Sequence, residues 1–514
     1  MNHLYQMIEN AASNHPKNVA LGFGEQKIVY TELKEATDRL AGGLQKLGLG
    51  RGDRFALMLP NVPHFVMSAF ALWKIGVTVV PVSIFYTAEE IRRQMEDAGI
   101  KGILFWEGFR QSVKQAVQGF TGCSILIVLG EKAGPGEIRL PYLMEMNEPL
   151  EETPEIAPDD SALIAYTAGT TGIPRGVELT HRNILSNIDA CCNFLNLKCK
   201  DGVVGVLPLY HPLGHTLVMG CFLRSGARVY LMPKFDPEAI LRMVEQEKPT
   251  YFVGVPSMFR AILNTKVEAE FDVDSLKFCL SSGDALKEET MKAFEEKFKV
   301  PILEGYGLAE ATSVVSFNSP VRERKPGSIG LPLPGYDLKI VDEFGSEVRS
   351  GQVGEIIVQG ENVMKGYWNR PDATEKAVQD GWLHTGDLAL LKEDGFGFIV
   401  VREQNVIVKS GFNIYPSEVE EFLVEHPKIK EAVVVGVPDP VQGEEIHASI
   451  VTEEGVEVSP EEVIEYCKGH MAPYKCPNIV HFVSSLPKGP TGRIMRHQIK
   501  QAFIQEKTHK GGIQ

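Results

Sequence analysis

Several stretches of the chain carry side chains suited to phosphate and cation chemistry. Residues 166–176 read YTAGTTGIPRG, three glycines and three threonines in eleven positions with one cation at Arg175. Backbone N–H groups of so small and polar a loop can converge on phosphate oxygens, and the hydroxyls of Thr167, Thr170 and Thr171 add donors. A surface loop with turn glycines has the same composition. The spacing fits neither G-x-x-x-x-G-K-[ST] nor G-x-G-x-x-G, which argues against a P-loop NTPase or a Rossmann dinucleotide site. Residues 302–312, ILEGYGLAEAT, offer Tyr306 as a flat ring for a base and Glu310 as a hard oxygen ligand for Mg2+ between phosphates. A Gly-Tyr-Gly turn before a helix with one acid also has a purely structural reading. In DGWLHTGDLA, Asp387 is expected in a turn after a strand, where a carboxylate can take two ribose hydroxyls or cap backbone. LPKGPTGRIMR places Arg493 in a Gly/Pro loop near the C-terminus.

These side chains need a frame. SALIAYT reads as an apolar strand entering the 166–176 loop, with the short strand and helix of VELTHRNIL leaving it. TELKEATDRLAGGLQKLGL aligns Leu33, Ala36, Leu40, Leu44 and Leu47 on one helical stripe, stopped by Gly48. RFALMLP, VTVVPV, ILFWEG, ILIVLG and ARVYLMP read as short buried strands, and HFVMSAFALWKIG as a helix between the first two. Alternation of this kind predicts α/β architecture with parallel sheets layered by helices. From Lys325 the Gly/Pro-rich texture predicts a small, mainly antiparallel β unit. A compact α+β pattern follows Arg402, where we place the boundary between a domain at 1–401 and one at 402–514. The polar tail after Glu506 reads as frayed.

The 514 residues allow a large core, and a net charge of −15 argues against nucleic acid or an acidic membrane surface as the main partner. The opening MNHLYQMIEN has no basic start followed by an apolar run, so no secretory leader is expected. FVMSAFALWKIGVTVVPV is interrupted by Lys74 and Gly76 and is too short for a membrane span. The eight cysteines form no CxxC pair, which suits reduced packing thiols in a cytoplasmic protein.

In this order and with these gaps, the stretches resemble the adenylate-forming (AMP-binding) acyl-CoA synthetase superfamily over nearly the whole chain. EGYGLAEA, KPGSIG, VMKGYWNRP and NIYPSEVEE resemble most the bacterial fatty-acyl-CoA ligases. The resemblance implies an ATP- and Mg2+-dependent acid–CoA ligase: a carboxylate attacks ATP to give an acyl-adenylate and pyrophosphate, and the coenzyme A thiol then displaces AMP. It further implies a large N-terminal domain and a small mobile C-terminal one that rotates between the half-reactions, with its hinge at Gln404. Dimers are common in the family, so a homodimer is compatible with it.

By resemblance, Thr167, Ala168, Gly169, Thr170, Thr171, Gly172 and Arg175 cradle the pyrophosphate end, with Thr167 also serving the metal. Tyr306, within the run Glu304, Gly305, Tyr306, Gly307, Leu308 and Ala309, flanks adenine. Ser282, Gly283, Asp284 and Ala285 form the opposite wall. Glu310 holds Mg2+, Asp387 and Arg402 take the ribose, and Ile399 belongs to the same nucleotide site. His211 lines the passage from carboxylate to acyl pocket, or is a packed structural residue. Val255 and Pro256 line the acyl pocket, while Ser410, Gly411 and Phe412 meet the pantetheine arm. Arg493 approaches the α-phosphate as a catalytic cation.

The chain departs from the family pattern at several of these positions. Ala168 and Ala309 replace hydroxyl residues, Gln404 replaces a charged hinge residue, and Arg175 and Arg493 stand where lysines are usual. Arg is longer, planar and forked, so the exchange is not neutral at a fitted site. Other readings are an amine, carrier-protein thiol or oxygen acceptor, an aryl or cyclic acid substrate, or a non-catalytic nucleotide- or acyl-binding protein. Retained Glu310, Asp387 and Arg402 count against the last.

Overall fold

The computed structural model describes residues 1–167, 175–265, 271–283, 286–402, 407–409, 412–414, 416–439, 442–453, 455–471, 473–489 and 494–511. The chain divides into two compact units, Met1–Lys339 with Ile357–Thr385, and Ile340–Ile356 with Gly386–Gln514.

The first unit contains two large sheets. The expected βα alternation builds the core of an eight-stranded sheet, in which Ser161–Thr167, Thr78–Pro81, Arg54–Met58, Gly102–Trp106, Ile125–Leu129 and Glu137–Arg139 run parallel as neighbours in that order. A nine-stranded sheet has a parallel core of Ile302–Tyr306, Phe278–Ser281, Tyr251–Gly254, Gly202–Gly205, Arg228–Leu231 and Val19–Phe23. These strands read as continuous apolar runs because both faces of such sheets are covered.

The helix predicted from the Leu33–Leu47 stripe spans Tyr30–Lys46, and Gly48 at φ +83° follows its end. Its buried face matches the predicted one only in part. Leu33, Leu40 and Leu44 are buried, but Thr37, Asp38 and Ala41 join them while Ala36 and Leu47 are only half-buried. Asp38 accounts for the rotation. Its Oδ1 accepts from Lys74 Nζ at 2.8 Å and from Tyr5 Oη at 2.5 Å, and its Oδ2 from Lys34 Nζ at 2.7 Å. Lys74 lies at the end of helix Pro63–Lys74, is 2% exposed, and also donates to Tyr5 Oη and to the Leu150 carbonyl. An ammonium can be buried in this helix because each of its hydrogens meets an oxygen.

In the second unit, strands Ile429–Asp439 and Gly443–Thr452 form a long antiparallel hairpin, joined by Ile407–Lys409, Phe412–Ile414 and Ile479–Phe482. Helices Pro416–Glu425 and Pro460–His470 contribute Val419, Leu423, Val463 and Cys467 to one core with Val434, Ile446 and Ile450. Helix Arg496–Gly511 sets Ile499 and Phe503 against Val433, Val435 and Val437. The tail expected to fray after Glu506 instead continues this helix. Lys507 Nζ lies 3.3 Å from the Pro438 carbonyl, 3.3 Å from Asp439 and 3.2 Å from Glu445, which ties the last turns to the hairpin. In the β region after Lys325, Val378–Gln379 and Gly397–Arg402 each pair antiparallel with Trp382–Leu391, as expected.

Replacing Lys74 by Met keeps the buried stem and removes the ammonium, leaving Asp38 short of one partner. Because Lys34 and Tyr5 remain, the low end of the usual cost for a broken buried pair applies, about 3 kcal/mol. Urea denaturation of Lys74→Met should show that loss; an unchanged midpoint would contradict it.

Candidate active site

Strands Ser161–Thr167 and Arg175–Thr180 form an antiparallel hairpin, with Thr167 opposite Arg175 and Tyr166 opposite Gly176. Thr167 and Arg175, both half-buried, therefore stand at the mouth of the 168–174 loop. Ala168, Gly169, Thr170, Thr171 and Gly172 lie outside the described residues. A further short strand, Gly366–Tyr367, adds antiparallel to the hairpin, with Tyr367 opposite Val177. Trp368 N donates to Gly176 O at 2.7 Å. A Cβ on Gly176 would stand 2.7 Å from Ile164 Cγ2 and 3.3 Å from Trp368 Cβ, so only glycine allows this close approach.

The added strand brings Tyr367 between Arg175 and Glu310. The Arg175 guanidinium sits 5.5 Å from the centre of the Tyr367 ring, within cation–π range. The Tyr367 hydroxyl donates to Glu310 Oε1 at 3.0 Å. Burial, then the Glu310 charge, push the Tyr367 phenol above its ordinary pKa, so it remains a donor. Main chain fixes the same pair: Met364 N donates to Glu310 O at 2.8 Å. Asp97 braces the other side, accepting from Tyr166 Oη and from Arg370, each at 2.7 Å, while its carbonyl takes Trp368 Nε1 at 3.1 Å. A cavity of about 450 Å³ opens beside Arg175 and Tyr367, with Arg370 and Lys376 among its lining residues. Two charged groups of opposite sign and a hydroxyl are thus held together at the loop mouth.

Glu310 follows strand Ile302–Tyr306 in the turn Ala309–Ala311. Gly307 fits this turn for a steric reason: a Cβ there would lie 1.6 Å from the Ser313 carbonyl oxygen. Tyr306 is 3% exposed, Leu308 half-buried and Ala309 buried. At Gly305, a Cβ would meet the Phe317 ring at 2.3 Å. The Glu304 side chain points into the protein. Its Oε2 accepts from Gly327 N at 2.7 Å and its Oε1 from Leu286 N at 3.4 Å, so one carboxyl joins the backbone after 281–285 to the KPGSIG loop. Burial pushes the Glu304 carboxyl up to about 7 against the pull of those two N–H groups.

The other residues named from the sequence have these surroundings. Ser282 is 5% exposed and its N–H donates to Gly254 O at 3.3 Å; Gly283 adopts φ +94°, and Asp284 and Ala285 lie outside the described residues. Val255 caps helix Pro256–Asn264 and is 7% exposed, with Pro256 buried as the first helical residue. His211 is exposed, and its carbonyl accepts from His215 N at 2.9 Å at the start of the widened helical stretch Leu213–Gly220. Such stretches recur at functional sites. In the second unit, Asp387 lies within strand Trp382–Leu391 and not in the expected turn, because its backbone pairs with Arg402; it is 7% exposed, and Ile399 is 36% exposed. Phe412 pairs with Lys409; Gln404, Ser410, Gly411 and Arg493 lie outside the described residues. Among the described residues no group of three or more His, Cys, Asp or Glu is placed to hold a metal, and no helix is long and apolar enough to cross a membrane.

Residues 8–368 match the AMP-binding enzyme family and residues 418–493 the AMP-binding enzyme C-terminal domain, so the chain belongs to this adenylate-forming family. Within it the chain is an AMP-forming acid–CoA ligase. A long-chain-fatty-acid–CoA ligase of Bacillus subtilis (strain 168) is 36% identical, covering 96% of this chain and 94% of the relative. MatB from Rhodopseudomonas palustris, solved with ATP bound, superimposes with a TM-score of 0.88 at 27% identity, covering 98% of this chain and 99% of that one. The o-succinylbenzoate CoA synthetase MenE of Bacillus subtilis, solved with its acyl-adenylate, gives 0.82 at 30% identity, covering 96% of this chain and 97% of that one.

Tyr367 and Asp97 are the residues that sequence reading missed at this site. The VMKGYWNRP run was a signal for Tyr367, whereas Asp97 sits in helix Ala88–Ala98 with no motif around it.

The Glu304 carboxyl yields a pH prediction. Its folded pKa of about 7 lies above the ordinary 4.5, so its stabilising contribution is complete below about 4.5 and is lost as pH rises through 7. That shift corresponds to about 3 kcal/mol. The stability difference between wild type and Glu304→Gln, followed by urea denaturation, should fall by about this amount over that window; a flat difference would contradict the assignment.

Proposed function

We propose that this ligase activates a medium- or long-chain fatty acid, with ATP, Mg2+ and CoA as its reaction partners. The observation that carries the site assignment is the hairpin mouth, where Thr167, Arg175, Tyr367 and Glu310 are drawn together. The name of the curated relative supports the fatty acid. A second reading, an aryl acid, is supported by the likeness to the o-succinylbenzoate CoA synthetase.

An anionic acid must reach the α-phosphate of a polyanionic nucleotide, and the proposed roles offset that repulsion. Thr167, the 168–172 backbone and Arg175 hold the β- and γ-phosphates. Tyr306 and the 282–285 segment enclose adenine together with the 304–309 run. Asp387, Ile399 and Arg402 receive the ribose side of the nucleotide. His211, Val255 and Pro256 line the acyl path, Ser410, Gly411 and Phe412 meet the pantetheine, and Arg493 approaches the α-phosphate. Mg2+ commonly takes one or two carboxylates and completes its shell with phosphate oxygens and water. Glu310, a hard-oxygen ligand beside the loop mouth, fits that donor set, with Thr167 as the second contributor. When bound, the cation supplies charge neutralisation between phosphate oxygens.

The division at 1–401 and 402–514, with the small domain turning at Gln404, belongs to this proposal. The separate match of the C-terminal domain family to residues 418–493 supports it. We also propose a cytoplasmic location, from the reduced cysteines, and a homodimer, from family likeness.

Incubation with ATP, Mg2+ and CoA and with laurate, palmitate, oleate, benzoate or o-succinylbenzoate, measuring AMP and acyl-CoA, tests the substrate. Each buried methylene is worth ~0.8 kcal/mol, so a pocket that holds a chain should favour palmitate over benzoate by about 100-fold or more in kcat/KM. Preference for an aryl acid would establish the second reading. AMP formation in the presence of CoA without a thioester would overturn CoA as the acceptor.

A further inference from the structure

Away from the loop mouth, three thiols meet where two helices touch. Cys191 and Cys192 lie on helix His181–Leu195, and Cys221 opens helix Cys221–Arg224 directly after the Leu213–Gly220 stretch. The Cys221 thiol neighbours those of Cys191 and Cys192 and donates to the Ile188 carbonyl at 3.8 Å. Cys191 and Cys221 are 0% exposed, whereas Cys192 is partly exposed. Cys192 also lines a cavity of about 340 Å³, together with Ser225, Arg224, Asp189, Lys198 and His15. A residue-to-residue turn of ~100° on a helix explains why only one of the adjacent cysteines reaches that cavity.

We propose that Cys192 is an oxidation site of this protein and that Cys221 is its resolving thiol. At rest the Cys192 thiol donates to the Cys221 carbonyl oxygen at 3.3 Å, which favours its protonated form. The Ser225 hydroxyl stands 2.9 Å from that same carbonyl and 3.4 Å from Cys192 Sγ, so it can turn its hydrogen onto the sulfur when the thiol ionises. Arg224 is nearby but paired with Asp189 at 2.9 Å, so the carboxylate offsets its charge at Cys192. The hydrogen bond with Cys221, and then that with Ser225, draw the Cys192 thiol below its ordinary pKa, while burial pushes the Cys221 thiol well above it. The division of labour follows from these positions. The accessible, more acidic sulfur meets the oxidant, and the buried one waits beside it.

The oxidant is a hydroperoxide. The Cys192 thiolate attacks the peroxide oxygen, the O–O bond breaks, and a sulfenic acid and water (or an alcohol) result. Sulfur loses two electrons and the peroxide gains them. The Cys221 sulfur then attacks the sulfenyl sulfur, the S–S bond forms, the S–OH bond breaks, and the hydroxyl leaves as water with the Cys221 proton. The product would covalently join helix His181–Leu195 to the end of the segment that begins beside His211.

The test treats the full-length protein with hydrogen peroxide, blocks remaining thiols and maps linked peptides by mass spectrometry. The expected result is a Cys192–Cys221 disulfide reversed by dithiothreitol, formed about tenfold or more faster than any oxidation of the other partly exposed cysteine, Cys199. Cys192→Ser should abolish the link. Cys221→Ala, checked for folding by circular dichroism, should accumulate sulfenic acid that dimedone traps at Cys192. Cys192→Ser, at a partly exposed position, decides the matter even if the buried change disturbs folding. Oxidation of Cys199 ahead of Cys192, or a Cys191–Cys221 link in wild type, would overturn the proposal.

Discussion

The site depends on one short stretch of chain, residues 361–370, acting as a seam. It adds a strand to the 161–180 hairpin and at the same time receives the turn that carries Glu310. The seam is fastened on both sides by hydrogen bonds. Asn183 Nδ2 donates to the carbonyls of Glu361 and Val363, each at 2.8 Å, and Thr312 Oγ1 to Asn362 O at 2.7 Å. Lys365 N donates to Glu178 O at 3.0 Å, and its ammonium pairs with the Glu178 carboxylate. The seam thereby pins the two strands that flank residues 168–174.

This arrangement gives Arg175 a physical reason. At a site that asked only for positive charge near a phosphate, a compact lysine ammonium would serve. Here the cation also lies over the Tyr367 ring, whose hydroxyl is bound to Glu310. A planar guanidinium can stack on an aromatic face and still direct N–H groups outward, which an ammonium on a flexible stem does less well. The exchange is therefore coupled to the Tyr367 side chain. The structural basis for arginine at 493 is a separate matter, since no described residue contacts bear on it.

Much of this was legible in the sequence, and the parts that were not share a cause. The parallel strands, the helix at 30–46 and the two strands flanking YTAGTTGIPRG follow from local apolar runs and glycine placement, which periodicity reports directly. The family resemblance rested on the order of several individually weak motifs. What local pattern could not report was partnership across the chain. Asp38 lay outside the apolar stripe read on its helix, and its partners Lys74 and Tyr5 stand on other elements. Glu304 read as part of a nucleotide-binding run, but its carboxyl ties two backbone segments together. Tyr367 stood in a quoted motif without a role, because its role lies 57 residues away at Glu310. The tail after Glu506 read as frayed since the acceptors for Lys507 lie on a hairpin more than sixty residues earlier.

The most direct test of this account is the kcat/KM for AMP formation in Tyr367→Phe, measured beside its thermal stability. The change deletes only the hydroxyl that holds Glu310 and leaves the ring beneath Arg175. A hydrogen bond to a charged group is worth about 1.5–3 kcal/mol, so kcat/KM should fall roughly 10- to 100-fold while the melting temperature stays close to that of wild type. Wild-type kcat/KM in this variant would contradict the claim that the seam sets the active geometry.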